Sequence, residues 1–562
     1  MNLPNPLLAA VLTIVLIVLF SALGVSSASV EVFTDITEEA GIIWKNFNGK
    51  SDDRFLIEAT SGGVGLVDCD SDGLLDVYLV NGGETPKGKS AQPVRNALYR
   101  NLGSNRFEDI AAKAGVDRVA FYGMGIASAD YDNDGFQDLF VTGFPSCALF
   151  HNNRDGTFSD VAEKARTRNS DRWAASAAWL DFDRDGLLDL FVCNYARFSF
   201  AEIKRCEVSG IPTYCEQKAY PGQCLALYHN QGDGTFTDVS VASGVAKHSG
   251  RALGVVSIDV NDDGWPDLFV ARDASPNLLL INQRNGTFQD RGLDAEVAFN
   301  ADGVAKAGMG VDAGDVNGDG RPDFVVTNFN DEYHSLILNL GSFPYEDWTQ
   351  PSGLARFTQY DVGWGTHFID FDNNGILDLL IVNGHINQVI EMTRKNVTYK
   401  QLPILLENTG TGIMRDIQER AGPVFHTRYA ARGLAVGDFD NDGDVDAIFV
   451  CLNDRPVLLR NNVGQSSRWI GFQLQGTRSN RDAIGSKLTL HVGNRQMIRW
   501  ITGGGSFLAS HDKRVLFGLG GDVNPDGLLL EIRWPNGTIQ KVSDLKPGEY
   551  QRIVETATPS KS

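Results

Sequence analysis

The chain is short of cysteine, histidine and positive charge. Its 562 residues include seven Cys and nine His, and 50 Lys and Arg stand against 71 Asp and Glu, a formal charge of −21 at pH 7. So few cations argue against binding nucleic acid, whose phosphates are neutralised by Lys and Arg, and against adhesion to anionic lipid. No C-x-x-C pair occurs, which leaves zinc-ribbon and thioredoxin-like chemistry without support. There is also no G-x-S-x-G, no H-E-x-x-H and no glycine-rich phosphate loop. Only residues 7–25 form an apolar run of membrane length, and SSAS follows it. Residues 1–28 therefore read as an export signal cut after Ala28, or as an uncleaved N-terminal anchor; the membrane is a partner only in the second case.

What the chain has in plenty is aspartate and glycine, and it uses them in one phrase, D-x-D-x-D-G-x-x-D. The phrase is written seven times. It places Asp68, Asp70, Asp72 and Asp76 in the first copy, and Asp130, Asp132, Asp134 and Asp138 in the second. The third holds Asp181, Asp183, Asp185 and Asp189; the fourth Asp259, Asn261, Asp263 and Asp267. The fifth holds Asp315, Asn317, Asp319 and Asp323, the sixth Asp370, Asp372, Asn374 and Asp378, and the seventh Asp438, Asp440, Asp442 and Asp446. Where Asp is replaced, Asn keeps the oxygen and drops the charge.

More recurs around the phrase. A strand-like run such as LFVTG or LLIVN follows each copy, and then an L-x-x-N element (LYRN, LFHN, LYHN, LLIN, LILN, LLEN, LLRN). Five residues ahead of each first aspartate stands Gly63, Gly125, Ser176, Gly254, Gly310, Gly365 or Gly433, so one face of a strand must meet something very close. The last recurring element, VFTDITEEAGI at 32–42, stands alone before the first phrase, and the final LLRN at 458–461 lacks a successor of that kind. Ends that complement each other suit an array closed into a ring. The expectation is an all-β chain: a seven-bladed β-propeller over 33–463, then a small antiparallel β domain over 464–555.

Clustered carboxylates repel one another, and a hard divalent cation removes the repulsion. Calcium takes six to eight oxygens from a flexible loop. Positions 1, 3 and 5 converge on one point, Gly at 6 permits the sharp turn, a carbonyl at 7 adds an oxygen, and Asp at 9 returns from the next strand. All 28 side-chain positions carry oxygen, which favours about seven structural Ca²⁺ over metal-free Asp/Asn/Gly turns. Seven such ions would bring the charge from −21 to about −7.

These phrases resemble the FG-GAP/VCBS repeat of the integrin α-subunit propeller. The tail adds a second resemblance: TRSNRDAIGSKL, HDKRVLFGLG and EIRWPNG are similar to the ASPIC/UnbV module that follows such propellers in the cartilage acidic protein family and its bacterial relatives. The resemblance covers nearly the whole mature chain. It implies an exported calcium-binding propeller and supplies no reaction.

Three cysteines, Cys206, Cys215 and Cys224, cluster in the longest interval between phrases, and one disulfide is expected among them or with Cys193. That segment, with Tyr214 and Tyr220, is expected to project and to offer a partner contact. In the tail, Asn480, Arg481 and Asp482 form the most polar cluster. For catalysis the one constellation to inspect is Asp312 with His367, at equivalent positions of neighbouring repeats. The reading that follows is an extracellular interaction or adhesion scaffold whose partner is a protein or glycan. The alternative is a carbohydrate-active lyase or hydrolase working in the propeller funnel.

Overall fold

The computed structural model describes residues 30–521 and 527–556; the expected export segment, residues 1–28, lies outside them. Among the described residues no helix is long and apolar enough to cross a membrane. The protein is all-β. Seven antiparallel four-strand meanders follow one another, each starting with a strand of small residues. The second is representative: Tyr122–Ala129, Asp138–Phe144, Ala148–Asn152 and Phe158–Asp160. The acidic phrase is the turn between the first strand and the second, and the L-x-x-N element is the third strand.

The first strand of each sheet lies against the first strand of the next, and the seventh returns to the first. The last sheet takes its outer strand from the N-terminus: Phe33–Asp35 pairs antiparallel with Val457–Asn461, Phe33 opposite Asn461. The array therefore closes by hydrogen bonding between its ends, as the unpaired elements in the sequence anticipate.

The small residues are required by the crowding of first strands round the axis. A Cβ on Gly310 would lie 2.1 Å from the Trp364 carbonyl oxygen, and one on Gly254 2.3 Å from that of Met309. Between sheets the alternating residues interlock; Tyr78 and Leu98 of the first sheet pack with Ile126, Leu139 and Phe150 of the second. Burial of these side chains, at about 25 cal/mol per Å² of apolar surface, is what holds neighbouring sheets together.

After residue 467 the chain builds a separate module. Arg468–Gln475 pairs antiparallel with Val515–Gly520 and parallel with Tyr550–Val554, so the module is not purely antiparallel as expected. Lys487–Val492 sits between Arg495–Trp500 and Leu529–Arg533, and Ile539–Val542 forms the edge. Its core, with Phe472, Leu488, Phe517 and Ile532, is continuous with Tyr131 and Trp179 of the ring.

One connection between the two sheets of the module enters the axis. Gly503–Gly504 adds to the first strand of the fourth sheet, Ala509–Ser510 to that of the first, and Ser506 bridges Val311 of the fifth. Ser510 meets Ser128 of the second sheet, Leu508 donates its N–H to Ser176 of the third, and Thr366 of the sixth donates its N–H to Ser506. His511 accepts from the Val436 N–H of the seventh. This plug touches the first strand of every sheet.

Candidate metal loops and axial site

The seven acidic turns share one backbone. Position 4 has φ between 55° and 77° and the glycine at position 6 between 86° and 100°, the left-handed region that Gly and Asn tolerate best. The first aspartate closes the turn by accepting the position 6 N–H, at 2.7–3.0 Å in all seven copies. In the second loop Asp130 also accepts from Asp134 at 2.8 Å, and Asp134 accepts from Phe136 at 2.9 Å.

The last aspartate of each phrase is buried at 0–1% exposure. One of its oxygens accepts the backbone N–H of the L-x-x-N asparagine at 2.8–2.9 Å. The same asparagine then reaches out of its sheet. Its amide nitrogen donates to the position 2 carbonyl of the preceding loop, from Asn101 to Phe439, Asn152 to Cys69, Asn230 to Tyr131 and so on to Asn461 and Phe371, at 2.7–2.9 Å. Seven asparagines thus stitch the loops into a closed belt. The motif shows in sequence, but its bridging role depends on a loop some 80 residues or more away and has no local signature.

Whether these residues fit a cation is tested by the state of their carboxyls. Oxygens of Asp68, Asp70 and Asp72 lie within 4.8 Å of one another, as do those of Asp130, Asp132 and Asp138, and of Asp181, Asp183 and Asp185. Burial, with the charges of Asp189, Asp185 and Asp183, pushes Asp181 up to about 8. Burial pushes Asp323 to about 8 and Asp76 to about 7. One buried oxygen each of Asp70, Asp181, Asp378 and Asp440 has no hydrogen-bond partner among the described residues. Converging, desolvated and partly unpartnered carboxylates are the donor set a hard cation takes. The last loop has a donor that the four-position reading leaves out: Asp444 at position 7 is fully buried and pushed up to about 9 by burial and by Asp442.

The module docks on this same face through cations. Arg533 pairs with Asp259 at 2.7 Å, Lys487 with Asp262 at 3.0 Å, Arg481 with Asp130 at 3.5 Å and Arg499 with Asp370 at 3.9 Å. The Tyr550 hydroxyl donates to Asp438 at 3.0 Å. Of the tail cluster, Asn480 closes its own turn on Ile484, while Asp482 accepts the Asp130 N–H. The basic residues are scattered over the tail sequence, and nothing in their spacing announces a common target.

The axial pair exists. His367 Nδ1 lies 3.0 Å from Asp312 Oδ2, and Asp312 accepts the Phe368 N–H at 2.8 Å. The imidazole stacks on His511 of the plug, with 4.2 Å between centroids. A cavity of about 170 Å³, lined by this group and by Lys513, Arg499 and Tyr550, lies under the module. The plug occupies the axis beside it.

The cysteine segment departs from expectation. Cys206 and Cys215 form the disulfide, while Cys224 is an exposed free thiol and Cys193 a buried one. Tyr214 and Tyr220 are not offered to a partner but buried at 7% and 3%. They fold back over the end of the axis remote from the acidic loops, where the Tyr214 hydroxyl meets buried Glu58 at 3.1 Å and Tyr220 packs with Phe55 and Trp173. Aromatic burial outweighs projection here; what projects is Ile203 and Val208, 44% and 46% exposed.

A ring of four-stranded sheets with an acidic turn in each, capped by a plugging β module, defines a β-propeller protein. Residues 68–141, 130–192, 219–270, 259–326 and 315–381 match the FG-GAP-like repeat, and residues 476–560 match ASPIC and UnbV. The repeat matches cover just over half of the 562 residues, and the chain belongs to the FG-GAP-like repeat family, with an ASPIC and UnbV domain at its C-terminal end. It is similar to cartilage acidic protein 1 of Mus musculus, 26% identical over 532 residues, covering 88% of this chain and 74% of that one. It is also similar to the Homo sapiens protein of that name, 25% identical over 455 residues, covering 78% of this chain and 63% of the relative, under two thirds of its length. Among solved structures, the BP39L lectin from Burkholderia pseudomallei is 10% identical with a TM-score of 0.40, covering 72% of this chain and 98% of that one.

Proposed function

We propose that the protein is an extracellular interaction scaffold: a propeller whose acidic loops hold Ca²⁺ and so keep a rigid ring in shape for an extracellular protein or glycan partner. The observation that carries the reading is the recurrence of one acidic turn with a buried last aspartate in all seven sheets, its carboxylates converging in the first three. Bound there, calcium would supply positive charge at the centre of each turn. The chain's own part is to pre-form the turn: the first aspartate holds the glycine N–H, and the ninth ties the turn to the third strand. Export is supported by the apolar run and SSAS, and by the Cys206–Cys215 bridge, which suits an oxidising compartment. For the partner surface we favour the disulfide-braced hairpin around Ile203 and Val208, at the uncapped end of the axis.

The test is a calcium titration of the chelated protein that follows stoichiometry and melting temperature together. About seven ions with a large rise in melting temperature is the expected result. One or two ions with little stabilisation would overturn it. The carbohydrate-active reading has the His367–Asp312 pair in its favour and the plugged axis against it.

A further inference from the structure

Loops two and three differ from the other five at one position. The residue ahead of the bridging asparagine is Arg100, Ile281, Leu338, Glu407 or Arg460 in those five, but His151 and His229 in loops two and three. The third strand carries this side chain over the edge of the acidic turn. His151 Nδ1 stands 3.3 Å from Asp138 Oδ1 and 3.4 Å from Asp132 Oδ2. His229 Nδ1 stands 3.0 Å from Asp189 Oδ1 and 3.6 Å from Asp183 Oδ2. In each case one imidazole nitrogen and two carboxylate oxygens lie within 4.8 Å of one another, as Asp132, Asp134 and His151, and as Asp183, Asp189 and His229.

Two further observations point to a ligand. His151 Nδ1 is buried and has no hydrogen-bond partner of good geometry among the described residues. In loop three Asp181, 4% exposed, has an unpartnered buried Oδ1, and a carboxylate oxygen of Asp181 lies within 4.8 Å of oxygens of Asp183 and Asp185. The separations are informative. Zinc bonds to nitrogen and oxygen are about 2.0–2.2 Å, so donors round one tetrahedral ion stand roughly 3.3 Å apart. The nitrogen–oxygen separations of 3.0–3.6 Å bracket that value. Calcium prefers an all-oxygen set, whereas a mixed imidazole and carboxylate set suits borderline first-row cations.

We propose that loops two and three are mixed nitrogen–oxygen sites which take a divalent transition cation of the Zn²⁺ type in preference to Ca²⁺. The inference rests on the reading that the acidic loops hold cations at all. The rival account is that the histidines are counter-charges. Arg100 acts so in loop one, 2.6 Å from Asp70, but a guanidinium cannot ligate a metal and an imidazole can. Loop two has the unpartnered nitrogen, whereas His229 Nδ1 in loop three already meets Asp189 Oδ1 at hydrogen-bond distance, 3.0 Å; loop three has the fewer competing cations. In loop two Arg154 sits 2.7 Å from Asp134, and its counterpart in loop three is Gly232.

The test uses the whole chain, stripped with a chelator and reloaded with saturating Ca²⁺. It is titrated with Zn²⁺ by calorimetry and with Co²⁺ by visible absorption. About two ions per chain are expected, one lost in His151→Gln, one in His229→Gln and both in the double variant. No tight Zn²⁺ or Co²⁺ binding, or binding that survives the double variant, would overturn the proposal. A zinc-edge X-ray absorption spectrum of the wild-type chain needs no variant: imidazole scattering supports the site and an all-oxygen shell overturns it. Failure of the loops to bind calcium in the reloading step is read separately, and would bring down the underlying reading.

Discussion

Asn152 shows how much one polar side chain can carry in this ring. It is 1% exposed, its N–H is held by Asp138, and its amide spans two loops through Cys69 and Gln137. Replacing it with Ala leaves the buried Cys69 carbonyl without this donor, at about 1–3 kcal/mol for such a group. Asn152→Ala is expected to lower the unfolding free energy by that amount in a urea titration, and the exposed neighbour change Asn153→Ala to stay within about 0.5 kcal/mol. The aspartates make a second prediction. Without ions, Asp76 and Asp438 are pushed to about 7, and Asp181 and Asp323 to about 8, chiefly by burial. A carboxyl whose folded pKa is raised binds its proton more tightly in the folded state. The folded state is therefore penalised progressively as pH rises from about 4 towards 8, and fully above that. The chelated protein should melt higher at pH 5.5 than at pH 8. With saturating calcium, which competes with those protons, the order should reverse; a melting temperature indifferent to pH in chelator would refute the burial of these groups.

At the scale of the element, the repeat was readable because its chemistry is local. The turn phrase, the strand after it and the glycines ahead of it follow from a few residues each, and the unpaired runs at 32–42 and 458–461 announced their own pairing. The plug was not readable. Residues 502–508, TGGGSFL, look like any glycine-rich turn, and their place in the axis depends on seven strands drawn from the whole chain. The 206–224 segment misled for a related reason: exposure was inferred from its length, whereas Tyr214 finds a buried acceptor in Glu58, 156 residues away. The plug also makes a strict demand. A Cβ on Gly503 would lie 1.8 Å from the Trp179 carbonyl oxygen. Gly503→Val should keep the plug from seating and free the module from the ring. Limited proteolysis should then cut within residues 462–468 faster than in the wild-type chain, and small-angle scattering should show a larger radius of gyration. Unchanged cleavage and dimensions would mean that the plug is not what holds the module.

At the scale of the whole molecule, the proposed ions and the basic residues of the module meet at one acidic face. Loops four, two and six each have an arginine of the module beside the first aspartate: Arg533 at Asp259, Arg481 at Asp130 and Arg499 at Asp370. These guanidiniums stand where a divalent ion would place its charge, so they lower the affinity of the loops they touch. By reciprocity, ions in those loops weaken the docking of the module by the same factor. The pair at Asp259 is the closest, at 2.7 Å, and Arg533 also meets Asp262 at 2.9 Å. Arg533→Ala therefore removes a repelling charge from loop four while leaving its own oxygens in place. Calcium affinity at that loop should rise by about threefold to tenfold, a gain of roughly 0.7–1.4 kcal/mol that shrinks in high salt. Arg455→Ala, which breaks a pair with Asp35 at the seam of the ring, should leave calcium affinity unchanged. Calorimetry of the two variants beside the wild type decides the matter. A higher affinity confined to Arg533→Ala makes the module a brake on its own metal face. Equal affinities would mean that the arginine swings aside when the loop fills, and that it does not restrain the metal.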